Sequence, residues 1–255
     1  MPEILAARNL YRSFGAVHGV NDINVAVDEG EVVGIIGSNG AGKTTFVNIV
    51  TGYLKPDSGT VMFRGRDITP LGPKEVTETG ICRSFQIPQL FGSATVFENM
   101  LIAMGLAESA GLSVWRRLRD ATRLERCRAT LERFQIADYR NQVAETLPQG
   151  VRKLLDIAMA TVHAPELIML DEPTSGITSD EKFGLMDIVV DALREQNVTI
   201  MFIEHDMEVI GRYAGRVLAF YDGGIIADGC PEVVLEDERV RRYILGDAHA
   251  GRQPA

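Results

Sequence analysis

The stretch GSNGAGKTT, residues 37 to 45, constrains this chain more than any other feature in it. It satisfies the pattern G-x-x-x-x-G-K-[ST] and stands between EVVGIIG, a nearly continuous apolar run of the kind a buried strand shows, and a segment of helical periodicity that runs from Lys43 through Val50. The glycines let the backbone of Gly37, Ser38, Asn39, Gly40, Ala41 and Gly42 curl until successive N–H groups face one anion. The Lys43 ammonium then reaches terminal phosphates, the Thr44 hydroxyl can ligate Mg²⁺, and Thr45 closes the cradle at the helix start. A strand, a phosphate loop and a helix in that order require an α/β architecture.

The rest of the chain agrees. Strand-like runs at Ile4 to Leu10 and Val17 to Val27 are separated by the turn signals Phe14-Gly15 and Glu29-Gly30. Short strands are expected at TVMF and at ICRSF, the second ending at Gln86. A mainly helical block then runs from Thr95 to about Phe134. Strands return at residues 167 to 170, 198 to 204 and 216 to 221, with the helix EKFGLMDIVVDALREQ between the first two. Such alternation means a parallel sheet with crossover helices. Asp222-Gly223-Gly224 signals a hairpin.

At 255 residues and a formal charge of −9, the chain suits one large domain or a core with a subdomain, and lacks the basic footprint of a protein that coats nucleic acid. Cys82, Cys127 and Cys230 form no CxxC pair, so neither a zinc site nor a disulfide framework is suggested, which fits a reducing cytosol. No run approaches the roughly 20 apolar residues of a membrane helix.

Three further segments carry candidate chemistry. LIMLDEP sets Asp171 and Glu172 at the end of a buried strand, and in a parallel sheet that edge binds ligands. Asp171 is expected to hold Mg²⁺ through water, and Glu172 to face the water that attacks the γ-phosphate. His205 ends another buried strand, in FIEHD. Gln86 closes a short strand, where its amide can bind Mg²⁺ or the attacking water. In LPQGV the apolar spacing of Leu154, Leu155, Ala158, Met159 and Val162 makes a helix begin near Gly150, with its first amides open to an anion.

Taken in order, GSNGAGKTT, SFQ, LPQGV, LIMLDEP and IEHD resemble the ATP-binding subunit of ABC transporters over nearly the whole chain. Segments such as LKPDSGTVMFRGRDITPL, SFQIPQLF and VVLEDERVRRYILGD look most like the branched-chain amino acid uptake branch. The resemblance implies a P-loop NTPase of ABC type, with a mostly parallel core sheet, an N-terminal antiparallel β subdomain and an inserted helical subdomain. The single nucleotide-binding domain 1–255 would divide into a core of about 1–86 and 163–245 and a helical part of about 87–162. It implies ATP and Mg²⁺ as ligands, with Phe14 stacking on adenine and Gln86, Glu172 and His205 as Q-loop glutamine, catalytic glutamate and switch histidine.

LPQGV falls where the family has LSGGQ, which grips the ATP held by a second cassette. Pro148 replaces the serine, Gln149 the first glycine and Val151 the glutamine, while Gly150 and the helix start survive. A lost hydroxyl bond to a charged phosphate is worth about 1.5 to 3 kcal/mol, one or two powers of ten. Thr178 stands where many relatives have an acidic or amide residue in the D-loop. A partner cassette of different sequence is therefore expected, with transmembrane permease subunits, an external solute-binding protein indirectly, no nucleic acid, and a place on the cytoplasmic face of the inner membrane. The competing readings are an exporter cassette, as in lipopolysaccharide transport, and a soluble ABC ATPase. Ile87, Leu90 and Phe91 would suit a permease groove if exposed. The six arginines between Trp115 and Arg128 read either as a contact with anionic lipid headgroups beside the permease or, the favoured reading, as a solvated helix face.

Overall fold

A computed structural model describes residues 2–84, 86, 88–108 and 120–246. In chain order it contains β1 (Glu3–Phe14), β2 (Val17–Asp28), β3 (Val32–Gly37), α1 (Lys43–Val50), β4 (Ser58–Phe63), β5 (Arg66–Asp67), α2 (Pro73–Thr79) and β6 (Ile81–Arg83). There follow α3 (Val96–Glu108), α4 (Ala121–Arg133), α5 (Gln149–Ala160), β7 (Leu167–Asp171), α6 (Lys182–Arg194), β8 (Thr199–Ile203), α7 (Met207–Tyr213), β9 (Arg216–Tyr221), β10 (Gly224–Gly229) and α8 (Pro231–Glu236). These elements gather into two compact units, residues 1–79 with 199–255, and residues 80–198.

The first unit holds an antiparallel sheet in the order β2-β1-β4-β5. In it β1 pairs on both sides, Ala6 opposite Ala26 on β2 and opposite Met62 on β4. β1 runs past the expected end at Leu10 to Phe14, because its polar end keeps pairing with β2 as far as Val17, while β2 departs from the expected Val17 to Val27 only by adding Asp28. The same unit contains β3, all six of whose residues are buried. Parallel neighbours lie on both sides of β3, with Ile35 level with Ile203 of β8 and Ile36 level with Ala219 of β9. Burial on both faces explains the unbroken apolar run in the sequence. Beneath the sheet Phe46 of α1 meets Phe220 of β9, ring centroids 5.5 Å apart, and each fully buried ring contributes about 1.5 to 3 kcal/mol.

In the second unit β6 and β7 pair in parallel, Cys82 level with Ile168. α3 begins at a reciprocal cap: the Glu98 N–H donates to Thr95 Oγ1 (3.2 Å), and the Thr95 N–H to Glu98 Oε2 (2.9 Å). Buried Asn99, one residue on, accepts the Phe91 N–H (2.8 Å) and donates to the carbonyls of Phe91 and Thr95, which ties the preceding loop to the helix. α4 presents Arg126 and Arg128 to solvent, as expected of the arginine-rich segment, whereas Arg123 is buried with Cys127 and Leu131. Residues 115–119 of that segment lie outside the described residues, as does Ile87. Leu90 is half-buried and Phe91 is 46% exposed.

Candidate functional site

The first unit carries the phosphate loop. β3 ends at Gly37 and α1 starts at Lys43, with Gly42 at the cap position in a left-handed conformation, φ 102°. A Cβ at Gly42 would strike the carbonyl oxygen of Gly19 on β2, so only glycine lets the loop lie this close. α1 has no side-chain cap, and its first-turn amides are of the kind an anion satisfies. The Lys43 side chain is only 6% exposed, and its ammonium donates to the carbonyls of Gly37 (2.6 Å) and Ser38 (3.0 Å). Thr44 is exposed and Thr45 half-buried. A curled backbone, a buried ammonium and an exposed hydroxyl fit a nucleoside polyphosphate with its divalent cation.

Two other expected residues lie on this unit. Phe14 ends β1 with 49% of its surface exposed, beneath the Arg12 guanidinium at 5.2 Å from the ring centroid. Arg12 is held in turn by Asp57, 2.5 Å away. The Asp57 carboxyl is kept below the usual carboxylate range, first by the Ser13 N–H and then by Arg12. His205 is exposed just beyond β8. Because β8 runs parallel to β3, with Ile203 level with Ile35, His205 emerges at the same sheet edge as the phosphate loop. α7 starts behind it under an Asp206 cap, which accepts the Glu208 N–H at 2.9 Å.

The second unit brings together Gln86, Asp171 and Glu172. Asp171 ends β7 and pairs through Oδ2 with Arg83 at the end of β6, 2.7 Å away; both side chains are largely buried, at 14% and 8% exposure. Gln86 Nε2 donates to Glu172 Oε2 at 2.6 Å. Glu172 adopts a left-handed backbone, φ 49°, directly before Pro173. Such a conformation costs of order 1–3 kcal/mol in a non-glycine residue and persists only where the surroundings hold it. Lys153 of α5 does much of that holding. It is 3% exposed, and its ammonium donates to the carbonyls of Glu172 (3.0 Å) and Gln86 (2.7 Å). Arg83 and Lys153 were not singled out from the sequence. The available signal was charge inside apolar patterns: Lys153 lies one turn before Ile157 on the inward stripe of α5, where a charge needs partners.

α5 begins at Gln149, one residue before the expected start, and Pro148 occupies the cap position rather than the first turn. There its missing N–H costs nothing, while its carbonyl accepts the Arg152 N–H at 3.0 Å. The Gln149 side chain lies over Gly176 and donates to Ser175 O at 3.3 Å. Thr178 donates its hydroxyl to Glu181 (2.9 Å) ahead of α6.

No cluster of three or more His, Cys, Asp or Glu that could hold a metal occurs among the described residues. Burial pushes the Cys82 and Cys127 thiols up to about 12, which removes both as nucleophiles near neutral pH. No helix among the described residues is long and apolar enough to cross a membrane.

Residues 20–175 match the family described as ABC transporter. Over 252 residues the chain is 34% identical to the high-affinity branched-chain amino acid transport ATP-binding protein LivG of Salmonella typhimurium, covering 96% of this chain and 98% of that protein. It is 34% identical over 251 residues to the corresponding protein BraF of Pseudomonas aeruginosa, again covering 96% and 98%. Among solved structures it is similar to the ADP conformation of an ATP-binding cassette of an ABC transporter, with a TM-score of 0.84 and 30% identity over 94% of this chain and 97% of that one.

Proposed function

This chain belongs to the ABC transporter family, as an ATP-binding and ATP-hydrolysing cassette, and from that premise we propose that it powers the uptake of branched-chain amino acids or a closely related small solute through a membrane permease. The observation that carries the reading is the phosphate loop, with a left-handed Gly42 at the helix start and Lys43 buried beneath it. Likeness to LivG and BraF along almost the full length of each chain supports the cargo class. Deleting the chain from its host should abolish ATP-dependent accumulation of labelled leucine, isoleucine or valine. Unchanged uptake of all three, with loss of export of another compound, would sink the importer reading.

The residues divide the work. Phe14 offers an exposed ring to the adenine, while amides of residues 37–42 and the Lys43 ammonium take the phosphates. On the first unit the Thr44 hydroxyl would be a ligand for Mg²⁺, and on the second Asp171 and Gln86 offer oxygens of the same kind; the ion would supply charge neutralisation to the phosphates. Glu172 orients and activates water, Gln86 steadies its carboxylate, and His205 completes the γ-phosphate contacts. ATP binding draws two cassettes together and hydrolysis releases them, so the chemistry serves motion of the permease. Docking on that permease gives a peripheral place at the cytoplasmic face of the membrane.

The second cassette is a different chain in this reading. Pro148 brings no hydroxyl to the cap of α5, and the Gln149 amide is already engaged by Ser175 O. This chain's own start of α5 at Gly150 therefore grips a partner's ATP weakly, while its Lys43 and Glu172 act against a stronger signature supplied in trans. Purified Glu172→Gln with Mg²⁺ and ATP is expected to bind nucleotide yet remain monomeric by light scattering. A nucleotide-dependent homodimer would count against the asymmetric pair.

A further inference from the structure

The parallel pairing of β3 with β9 does not stop where β3 turns into the phosphate loop. Its last paired residues are Gly37 and Phe220. Beyond them β9 runs one residue further to Tyr221, and Asp222 and Gly223 reverse the chain into β10, with Gly224 opposite Tyr221. Both turn residues have positive φ, 47° and 78°, the requirement of a tight two-residue hairpin. This turn faces the phosphate loop directly: the Gly223 N–H donates to the carbonyl of Ala41 at 3.1 Å. On its other side the Gly223 carbonyl accepts the Asn21 N–H of β2 at 2.7 Å.

We infer that Gly223 is a positioning residue for nucleotide binding, because its hydrogen bond to Ala41 sets the direction of one phosphate-binding amide. The peptide between Ala41 and Gly42 is planar and trans, so its C=O and N–H point in opposite directions. Once Gly223 draws the Ala41 oxygen to one side, the Gly42 N–H is aimed to the other, as a fixed donor. An amide held in advance costs less to order when a phosphate arrives. The close approach of Gly42 to both Gly19 O and the Gly223 Cα leaves this peptide little room to flip. Nothing here depends on the second unit.

The inference rests on the ATP-binding reading, and its test separates the two. In the full-length chain, Gly223→Ala places a side chain at a left-handed position, with Asn21 N at 3.3 Å and His18 O at 3.4 Å from the new Cβ. Gly224→Ala is the control, since it lies in the same turn without positive φ and its nearest neighbours are 3.7 and 3.8 Å away. The expected result is an ADP dissociation constant and an ATP KM raised about fivefold or more in Gly223→Ala, kcat at saturation within about twofold, and Gly224→Ala like the parent. Equal affinity in Gly223→Ala and the parent overturns the role of the turn, whereas a parent that binds no ADP overturns the nucleotide reading itself. A second measurement needs no variant. Because coupling is reciprocal, ADP should slow hydrogen exchange of the parent's Gly223 amide by about the same factor, and an unchanged exchange rate would likewise overturn the inference.

Discussion

Lys43→Ala lowers ATP hydrolysis by about a hundredfold or more, the scale on which removal of one preorganised charge-stabilising donor acts. The ammonium is buried at 6% exposure within the loop that carries the phosphate-binding amides, and two loop carbonyls fix it there. In a water-poor setting such a charge acts on the transferring phosphoryl group far more strongly than it would in bulk solvent. The same truncation leaves the carbonyls of Gly37 and Ser38 without this donor, so stability falls as well, by about 1–3 kcal/mol for each oxygen that water cannot reach. Lys43→Arg does not restore activity, because a planar fork cannot replace a compact ammonium in a closed loop. Phosphate release measured beside thermal unfolding separates the two effects. Hydrolysis retained within tenfold of the parent would show that Lys43 is part of the loop's frame and not of its chemistry.

The parts of this molecule that could be read in advance are those where one segment contains its own explanation. α1 spans the range from Lys43 through Val50 expected from the phosphate motif, because a glycine loop leading into a helix is a local construction. β3 was legible as a buried strand because both its faces are covered, and the hairpin after Tyr221 because only residues tolerant of positive φ make that turn. What escaped depends on pairing between distant segments. Arg83 means little in ICRSF until β6 lies beside β7 and meets Asp171. Gly223 reads as a turn residue, and its bond to Ala41 exists only because β9 runs alongside β3. The start of α5 was displaced by one residue because Pro148 can serve either as a cap or in a first turn, and local propensity alone does not separate them.

Lys153→Met is expected to reduce kcat by about thirtyfold while leaving the ATP KM within about threefold, a pattern that marks loss of transition-state interactions rather than of binding. Lys153 need not touch the nucleotide to do this. From α5 its ammonium binds the carbonyl of Gln86 on one side and that of Glu172 on the other. Those two residues then meet through their own side chains at 2.6 Å. Glu172 holds an unfavourable left-handed backbone, and its carbonyl is fixed by Lys153 and by the Ser175 N–H at 3.1 Å. Without the ammonium the Glu172 carbonyl loses a restraint, and the strain of order 1–3 kcal/mol relaxes by rotation about the Glu172 N–Cα bond, which swings the side chain and its carboxylate. Displacement of a catalytic group by about 1 Å is enough to cost a large factor in rate. Methionine keeps the apolar stem, so the packing of α5 is largely preserved and the loss is mainly that of two charge-assisted bonds, about 1.5–3 kcal/mol each before relief of the buried charge. A net loss of about 2 kcal/mol lowers the melting temperature by about 4–8 °C in a chain of this size. Lys153→Arg retains the charge and recovers part of kcat. The deciding comparison is between rate and stability: a melting temperature that drops with kcat unchanged would reduce Lys153 to a packing role, whereas kcat lost at a temperature where the variant is fully folded identifies the residue that holds Glu172 in its working conformation.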